Sequence, residues 1–197
     1  MIERKEELVK ILKERLKPTR FEHSLNVADA ALALAKKYGA DEEKAYIGGL
    51  LHDVCKNAPM EEQHEYMMKL GEPISEVELS NQKLWHAPAG AAYIRDVIGI
   101  VDEDLLSAVR YHTTAKANMT LMEKILYIAD YISKERTYDG IEIMREKAFR
   151  DIDEAILEGT KFTILDLAKQ NRVINQDTID AYNEMSKKFA KEGSKNI

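Results

Sequence analysis

The chain has 197 residues, 45% of them hydrophobic, and a formal net charge of −6. That size and apolar share supply one good core, so one domain is expected. The acidic balance argues against a nucleic-acid polymer as partner, because such binding needs a basic surface; a local basic pocket for a small anion stays open. The single cysteine, Cys55, excludes an internal disulfide framework and a cysteine-rich zinc site. The N-terminus MIERKEELVK is charged and lacks an apolar signal region, and no apolar run approaches membrane-spanning length. A soluble, cytoplasmic protein with no membrane partner is the expectation.

Taken in chain order, almost every segment reads as helix. Residues 2–16 carry Leu8, Ile11, Leu12 and Leu16 at helical spacing, and Pro18 breaks that helix. Thr19 and Glu22 fit a capping box that starts a helix reaching Tyr38, with Gly39 as its stop. Asp41 caps the next helix, which contains the stretch GLLHDVCK and ends before Pro59. Residues 60–70 form a short helix stopped by Gly71. A further region begins near Ser75 and reaches Trp85-His86-Ala87-Pro88, where proline suits a helix start; that helix stops near Gly99. Asp102 caps a helix through Tyr111, and Thr120 with Glu123 forms a second capping box for a helix through Ile132. Residues 133–140 are polar and read as a loop. Helices follow over 141–149, 151–169 and 177–191, and the tail KEGSKNI should fray. No sustained period-2 alternation, internal repeat or glycine-rich phosphate loop is found. The expected fold class is all-α, a single-domain helical bundle over 1–197 with a motif core at 19–135 and C-terminal helices at 141–191.

GLLHDVCK poses a problem of charge. It places His52 and Asp53 in the buried half of an apolar helix, and a buried aspartate is costly unless something pairs with it. Asp130 raises the same problem at the end of Ile125-Leu126-Tyr127-Ile128-Ala129, with Met122 and Leu126 on its face. His23 stands beside a stripe formed by Val27, Ala30, Ala31 and Leu34. A lone histidine there is most simply a satisfied core residue, and a lone Asp130 would pair with an arginine. Together, His23, His52, Asp53 and Asp130 form a two-histidine, two-carboxylate set on three helices. Such nitrogen and oxygen donors suit iron, manganese, nickel, cobalt or zinc, and a divalent ion would compensate the buried aspartates.

The strings RFEHSLNVA, GLLHDVCK, LWHAPAG, RYHTTAKANMTLMEKILYIADYI and KERTYDG resemble the HD domain of metal-dependent phosphohydrolases. They are most similar to one bacterial branch, the symmetrical bis(5′-nucleosyl)-tetraphosphatases, over most of the chain. The resemblance implies a metal, most often iron, held by His23, His52, Asp53 and Asp130. It adds His86 and His112, which in the wider family hold a second metal or contact substrate phosphates; with Asp53 they make the implied catalytic set. Ala87 stands where the family favours glycine. His64, in EEQHEYMM, matches no motif and reads as surface.

A nucleoside polyphosphate is the implied substrate, and water activated by the ion would attack a phosphorus atom, with Asp53 as ligand and proton acceptor. Lys56, four residues beyond His52, and Arg136, after Asp130, match family positions that face phosphate; Arg20, three before His23, does so in part. His23, His86 and His112 also lie where phosphate would pass. Thr113 and Thr114 can donate to phosphate oxygens or cap a turn. Tyr131, Tyr138 and the segment Asn171 to Asn175, with Ile174 at its apolar centre, are candidates for the nucleoside; the last lies near the nucleoside in the family. Cys55 reads as a buried free thiol.

The implied reaction is cleavage of diadenosine tetraphosphate into two ADP. A nucleotidase or a phosphohydrolase of (deoxy)nucleoside triphosphates or alarmones is the alternative within enzymes. A cyclic-dinucleotide phosphodiesterase lacks its Gly-Tyr-Pro element here. A non-catalytic nucleotide-sensing module is the alternative of another class, and the retained four-residue set argues against it. A purely structural bundle would have to bury two aspartates and up to four histidines unsatisfied. The amphipathic C-terminal helices can pack on the core or in a homodimer.

Overall fold

The computed structural model describes residues 4–193. Among them the regular structure is helical and no strand occurs. The chain runs through α1 (Lys5–Arg15), α2 (Pro18–Tyr38), α3 (Glu42–Leu51), α4 (Met60–Lys69), α5 (Glu76–Ser80), α6 (His86–Tyr93), α7 (Glu103–Tyr111), α8 (Leu121–Ile132), α9 (Ile141–Arg150), α10 (Ile152–Lys169) and α11 (Gln176–Gly193). The expected helix start at residue 2 and the end of KEGSKNI lie outside the described residues. No described helix is long and apolar enough to cross a membrane.

Most boundaries follow their local chemistry. Asp41, Ser75, Asp102 and Thr120 accept from the backbone N–H three residues on, and Ser75 and Thr120 complete reciprocal capping boxes with Glu78 and Glu123. Gly39, Gly71 and Gly99 adopt left-handed φ angles of 70°, 82° and 78° where helices must stop. The α2 start differs from expectation. Thr19 is not its N-cap; the cap position is Lys17, and Pro18 occupies the first helical turn without a side-chain cap bond. Proline's fixed φ is already helical and its missing N–H would have no partner there, so it displaces the threonine cap.

The second correction matters more. α3 does not run toward Pro59 but ends at Leu51. His52 Nδ1 donates to the Gly49 carbonyl at 2.7 Å, the acceptor that a continuing helix would give to residue 53. Tight turns follow, with Val54 N–H on Leu51 O and Lys56 N–H on Asp53 O. His52 and Asp53 therefore sit on a helix end, not within a helix. α6 is also extended, by a π-helical segment over Ile94–Ile98.

One apolar core joins α1 to α3, α6 to α8 and parts of α9 to α11. α2 packs along both α3 and α8, α7 bridges α6 and α8, and α10 lies against α8, α9 and α11. The α2–α3 approach is close because Ala28 and Gly49 meet backbone to backbone. That contact brings His23, the end of α3 and the end of α8 to one end of the bundle.

Candidate metal centre and active site

Five elements converge around Asp53. His23 comes from α2, His52 from the end of α3, His86 from the start of α6 and His112 from the end of α7; Asp130 joins from α8. His52, Asp53, His86 and His112 are essentially buried, and His23 nearly so. His52 Nε2 lies 3.4 Å from Asp53 Oδ2, and His86 Nε2 lies 3.2 Å from Asp53 Oδ1. His112 Nε2 is 3.7 Å from the same Oδ1. His23 Nε2 is 3.1 Å from Asp130 Oδ1 and 3.8 Å from Asp53 Oδ2.

Hydrogen bonding behind the rings decides what they present. His52 Nδ1 faces the Gly49 carbonyl and His112 Nδ1 faces the Val109 carbonyl, each at 2.7 Å. A carbonyl only accepts, so these Nδ1 atoms carry the protons, and in the neutral rings Nε2 offers a lone pair to the centre. His23 Nδ1 is bonded to the Glu135 carboxylate. The lone pairs therefore point at carboxylate oxygens. His23 Nε2, His52 Nε2 and Asp53 Oδ1 are buried with no hydrogen-bond partner. Buried acceptors facing one another call for a cation between them. Two overlapping sets have ligand atoms within 4.8 Å of each other: His23, His52 and Asp130, and His52, Asp53 and His112. The donor set fits a divalent ion that takes nitrogen and oxygen ligands.

The electrostatics call for the same positive charge. Burial works to raise the Asp53 carboxyl, and positive charge among His52, His112 and His86 outweighs it and holds it well below the usual range. Burial likewise opposes Asp130, and His23, His52 and Arg136 keep it ionised. Burial, aided by Lys56 and His112, drives His86 well below an ordinary histidine against the pull of Asp53. Burial also lowers Lys56, with Arg20 and Arg136 adding to it and Asp53 and Asp130 opposing.

The expected phosphate contacts surround this centre. Lys56 Nζ is 3.0 Å from His86 Nε2. Thr113 Oγ1 lies 3.2 Å from His112 Nε2 and 3.4 Å from His86 Nε2. Arg20 donates to Asp53 Oδ2 at 2.8 Å, and Arg136 donates to Asp130 through its terminal nitrogen. Arg20, His23, Arg136 and Tyr138 line an open cavity of about 390 Å³ beside the centre. Thr114 is turned away, donating to the Ala115 carbonyl. Ile174 lies in the α10–α11 connection, and the nearby Thr178 donates to the Thr114 carbonyl. Cys55 is a buried free thiol whose burial pushes it up to about 12, and His64 is exposed.

A model of the HD domain family matches residues 20–135. The chain belongs to the HD domain family. It is 37% identical over 179 residues to the symmetrical bis(5′-nucleosyl)-tetraphosphatase of Bacillus subtilis, covering 91% of this chain and 96% of that one. It is 35% identical over 186 residues to the protein of the same name from Staphylococcus aureus, covering 90% and 92%. A crystal structure described as an HD superfamily hydrolase involved in NAD metabolism, from Clostridium acetobutylicum, superposes with a TM-score of 0.89 at 37% identity, covering 93% of this chain and 97% of that one.

One residue of this HD domain centre lies in the string KERTYDG but receives no role from the sequence. Glu135 holds His23 Nδ1 and is itself held by Ser133 Oγ and Asn26 Nδ2, each at 2.8 Å. A carboxylate behind a ligating imidazole fixes its orientation and raises its basicity. The loop's polar composition gave no reason to prefer Glu135 over its neighbours; only the return of the loop onto α2 singles it out. Glu135→Ala is expected to weaken metal binding about 10- to 100-fold. Competition against a fluorescent chelator measures this, and an unchanged affinity would show that Glu135 plays no part in holding His23.

Proposed function

We propose that this protein is a metal-dependent hydrolase that cleaves diadenosine tetraphosphate symmetrically into two ADP. The observation that carries the metal-dependent chemistry is the set of inward-facing lone pairs around Asp53, which a cation would satisfy. The substrate is supported by the two tetraphosphatases that match nearly end to end. Iron is the proposed resident ion, held by His23, His52, Asp53 and Asp130. The mixed nitrogen and oxygen donors support that choice over a thiolate-seeking ion. A cytoplasmic setting, rich in nucleoside polyphosphates, suits the activity.

The bound ion supplies Lewis acidity that makes water a competent nucleophile near neutral pH. Everything else is done by side chains. Asp53 stays ionised amid its imidazoles and would accept the proton of the attacking water. Arg20 and Arg136 line the cavity beside His23 and clamp phosphate oxygens there. Lys56 and Thr113 meet at His86, beside His112, and present donors to the phosphates on the other side. Charge that builds on the departing ADP is met by these fixed donors without reorganisation.

The test is product analysis. Metal-loaded protein and diadenosine tetraphosphate should give ADP as the sole nucleotide product on anion-exchange chromatography. ATP plus AMP would show an asymmetric cut. Inorganic phosphate released from mononucleotides, with the dinucleotide left intact, would move the assignment to a nucleotidase.

A further inference from the structure

We propose that the buried Arg110–Glu78 ion pair is a positioning device that holds His86 in place for the reaction. The proposal rests on the phosphohydrolase reading above and deepens it by naming what fixes one of the phosphate-facing histidines.

His86 differs from the other imidazoles of the centre. His23 Nδ1 is bonded to Glu135, and the Nδ1 atoms of His52 and His112 are held by the carbonyls of Gly49 and Val109. Among the described residues no acceptor is bonded to His86 Nδ1; Lys56 Nζ, a donor, lies 3.4 Å from it. α6 begins at His86 itself, and no side chain caps it. The orientation of the ring therefore depends on the chain that leads into it.

That chain has little regular structure of its own. Between α4 and α6 lie α5, five residues long, and a 3₁₀ turn over Gln82–Leu84. Helices this short do not hold themselves together in water. Glu78 anchors the stretch. Its Oε2 accepts from the Ser75 N–H and hydroxyl, each at 2.9 Å, and its carbonyl accepts from Trp85 Nε1 at 2.8 Å, next to His86. Its Oε1 lies 2.6 Å from a terminal nitrogen of Arg110 on α7. Glu78 and Arg110 are each 2% exposed. α7 leads directly into His112, so the pair ties the segment before His86 to the helix that carries its neighbour; the two Nε2 atoms stand 3.3 Å apart.

The pair is poorly built for stability. The contact is one of charge without hydrogen-bond geometry, and Arg110 Nε is buried with no hydrogen-bond partner. Two buried charges so incompletely bonded recover little of their desolvation cost, and apolar residues of similar volume would stabilise the fold as well. What such a pair supplies is register between the segments it joins.

The double variant Glu78→Gln/Arg110→Met tests this. Glutamine keeps the Ser75 cap and methionine keeps an apolar stem, so only the tie to α7 is cut. The variant should melt close to wild type and bind manganese with unchanged affinity, because His86 lies outside the proposed set of His23, His52, Asp53 and Asp130. Its kcat for diadenosine tetraphosphate should fall about tenfold or more with KM little changed, the signature of a displaced reacting group. In zinc-loaded, isotope-labelled protein the His86 ring signals in the NMR spectrum should shift while those of His23 and His52 stay. Arg110→Lys keeps a charge opposite Glu78 and should retain more kcat than the double variant; an equal loss would overturn the proposal. So would wild-type kcat in the double variant. Loss of metal together with activity, or failure to fold, would overturn it too, by making the pair a general stabiliser. A wild-type protein that leaves diadenosine tetraphosphate intact would remove the reaction assigned above, and the His86 ring signals would then decide the positioning role by themselves.

Discussion

Asp53→Ala should remove the bound metal and lower turnover of diadenosine tetraphosphate by about 1000-fold or more, while the helical content by circular dichroism stays unchanged. Asp53 is the point on which the site converges. Its two oxygens lie within 4 Å of all four site imidazoles, at 3.2 Å for His86 and 3.8 Å for His23. No neighbouring group can take its place, since Asp130 is held on the far side by His23 and Arg136. The variant therefore loses a ligand and the proton acceptor together. Asp53→Asn separates the two roles: it keeps the shape and one oxygen donor, so partial metal binding with no turnover is expected. Elemental analysis of the purified variants, beside the ADP assay, reads both. An Asp53→Ala protein that retains both metal and activity would show that the ion is held elsewhere.

Gly49→Ala is expected to be the most damaging single methyl group in the core. A Cβ at Gly49 would lie 2.7 Å from Ala28 Cα and 2.9 Å from both Ala28 N and Val27 O. Those are backbone atoms, so no rotamer change relieves the clash, and α3 must move off α2. Overpacking of this kind costs about 3 kcal/mol. The damage extends to chemistry, because the Gly49 carbonyl holds His52 Nδ1. Lowered thermal stability and lowered metal affinity should appear together. Gly48→Ala is the control. Its Cβ would meet only Leu126 Cδ2, at an ordinary 3.8 Å, and alanine is the better helix former. That variant should melt at or slightly above wild type. Equal losses in the two variants would mean that helix packing at Gly49 is not what positions His52.

The two glycines show where reading the chain alone stops. Both stand in YIGGLLHD, and nothing local distinguishes them. The difference arises because Gly49 faces the α2 backbone and Gly48 does not, a fact of helix rotation that a neighbour determines. The same limit applies at His52. Helical spacing extends the helix through GLLHDVCK, and only the bond from His52 to Gly49 O shows why it ends. Thr19 and Glu22 matched a capping box, yet Pro18 took the helix start and left Thr19 to line the cavity beside Arg20.

What the sequence alone determined is the all-α class and most of the helix boundaries, and it singled out His23, His52, Asp53 and Asp130 as the candidate set. Those follow from short-range rules: apolar periodicity, caps, glycine stops, and the cost of burying an aspartate without a partner. Tertiary structure alone decided which atoms face which. It brought Glu135 back onto His23, aimed Nε2 lone pairs at Asp53, set Lys56 against His86 and put Phe162 beside Tyr138. Apart from the neighbours His52 and Asp53, these pairs are separated by 24 to 112 residues, from Phe162 and Tyr138 to Glu135 and His23. Contacts over such separations depend on how whole helices pack, and helix packing is set by the sum of buried surfaces rather than by any local pattern.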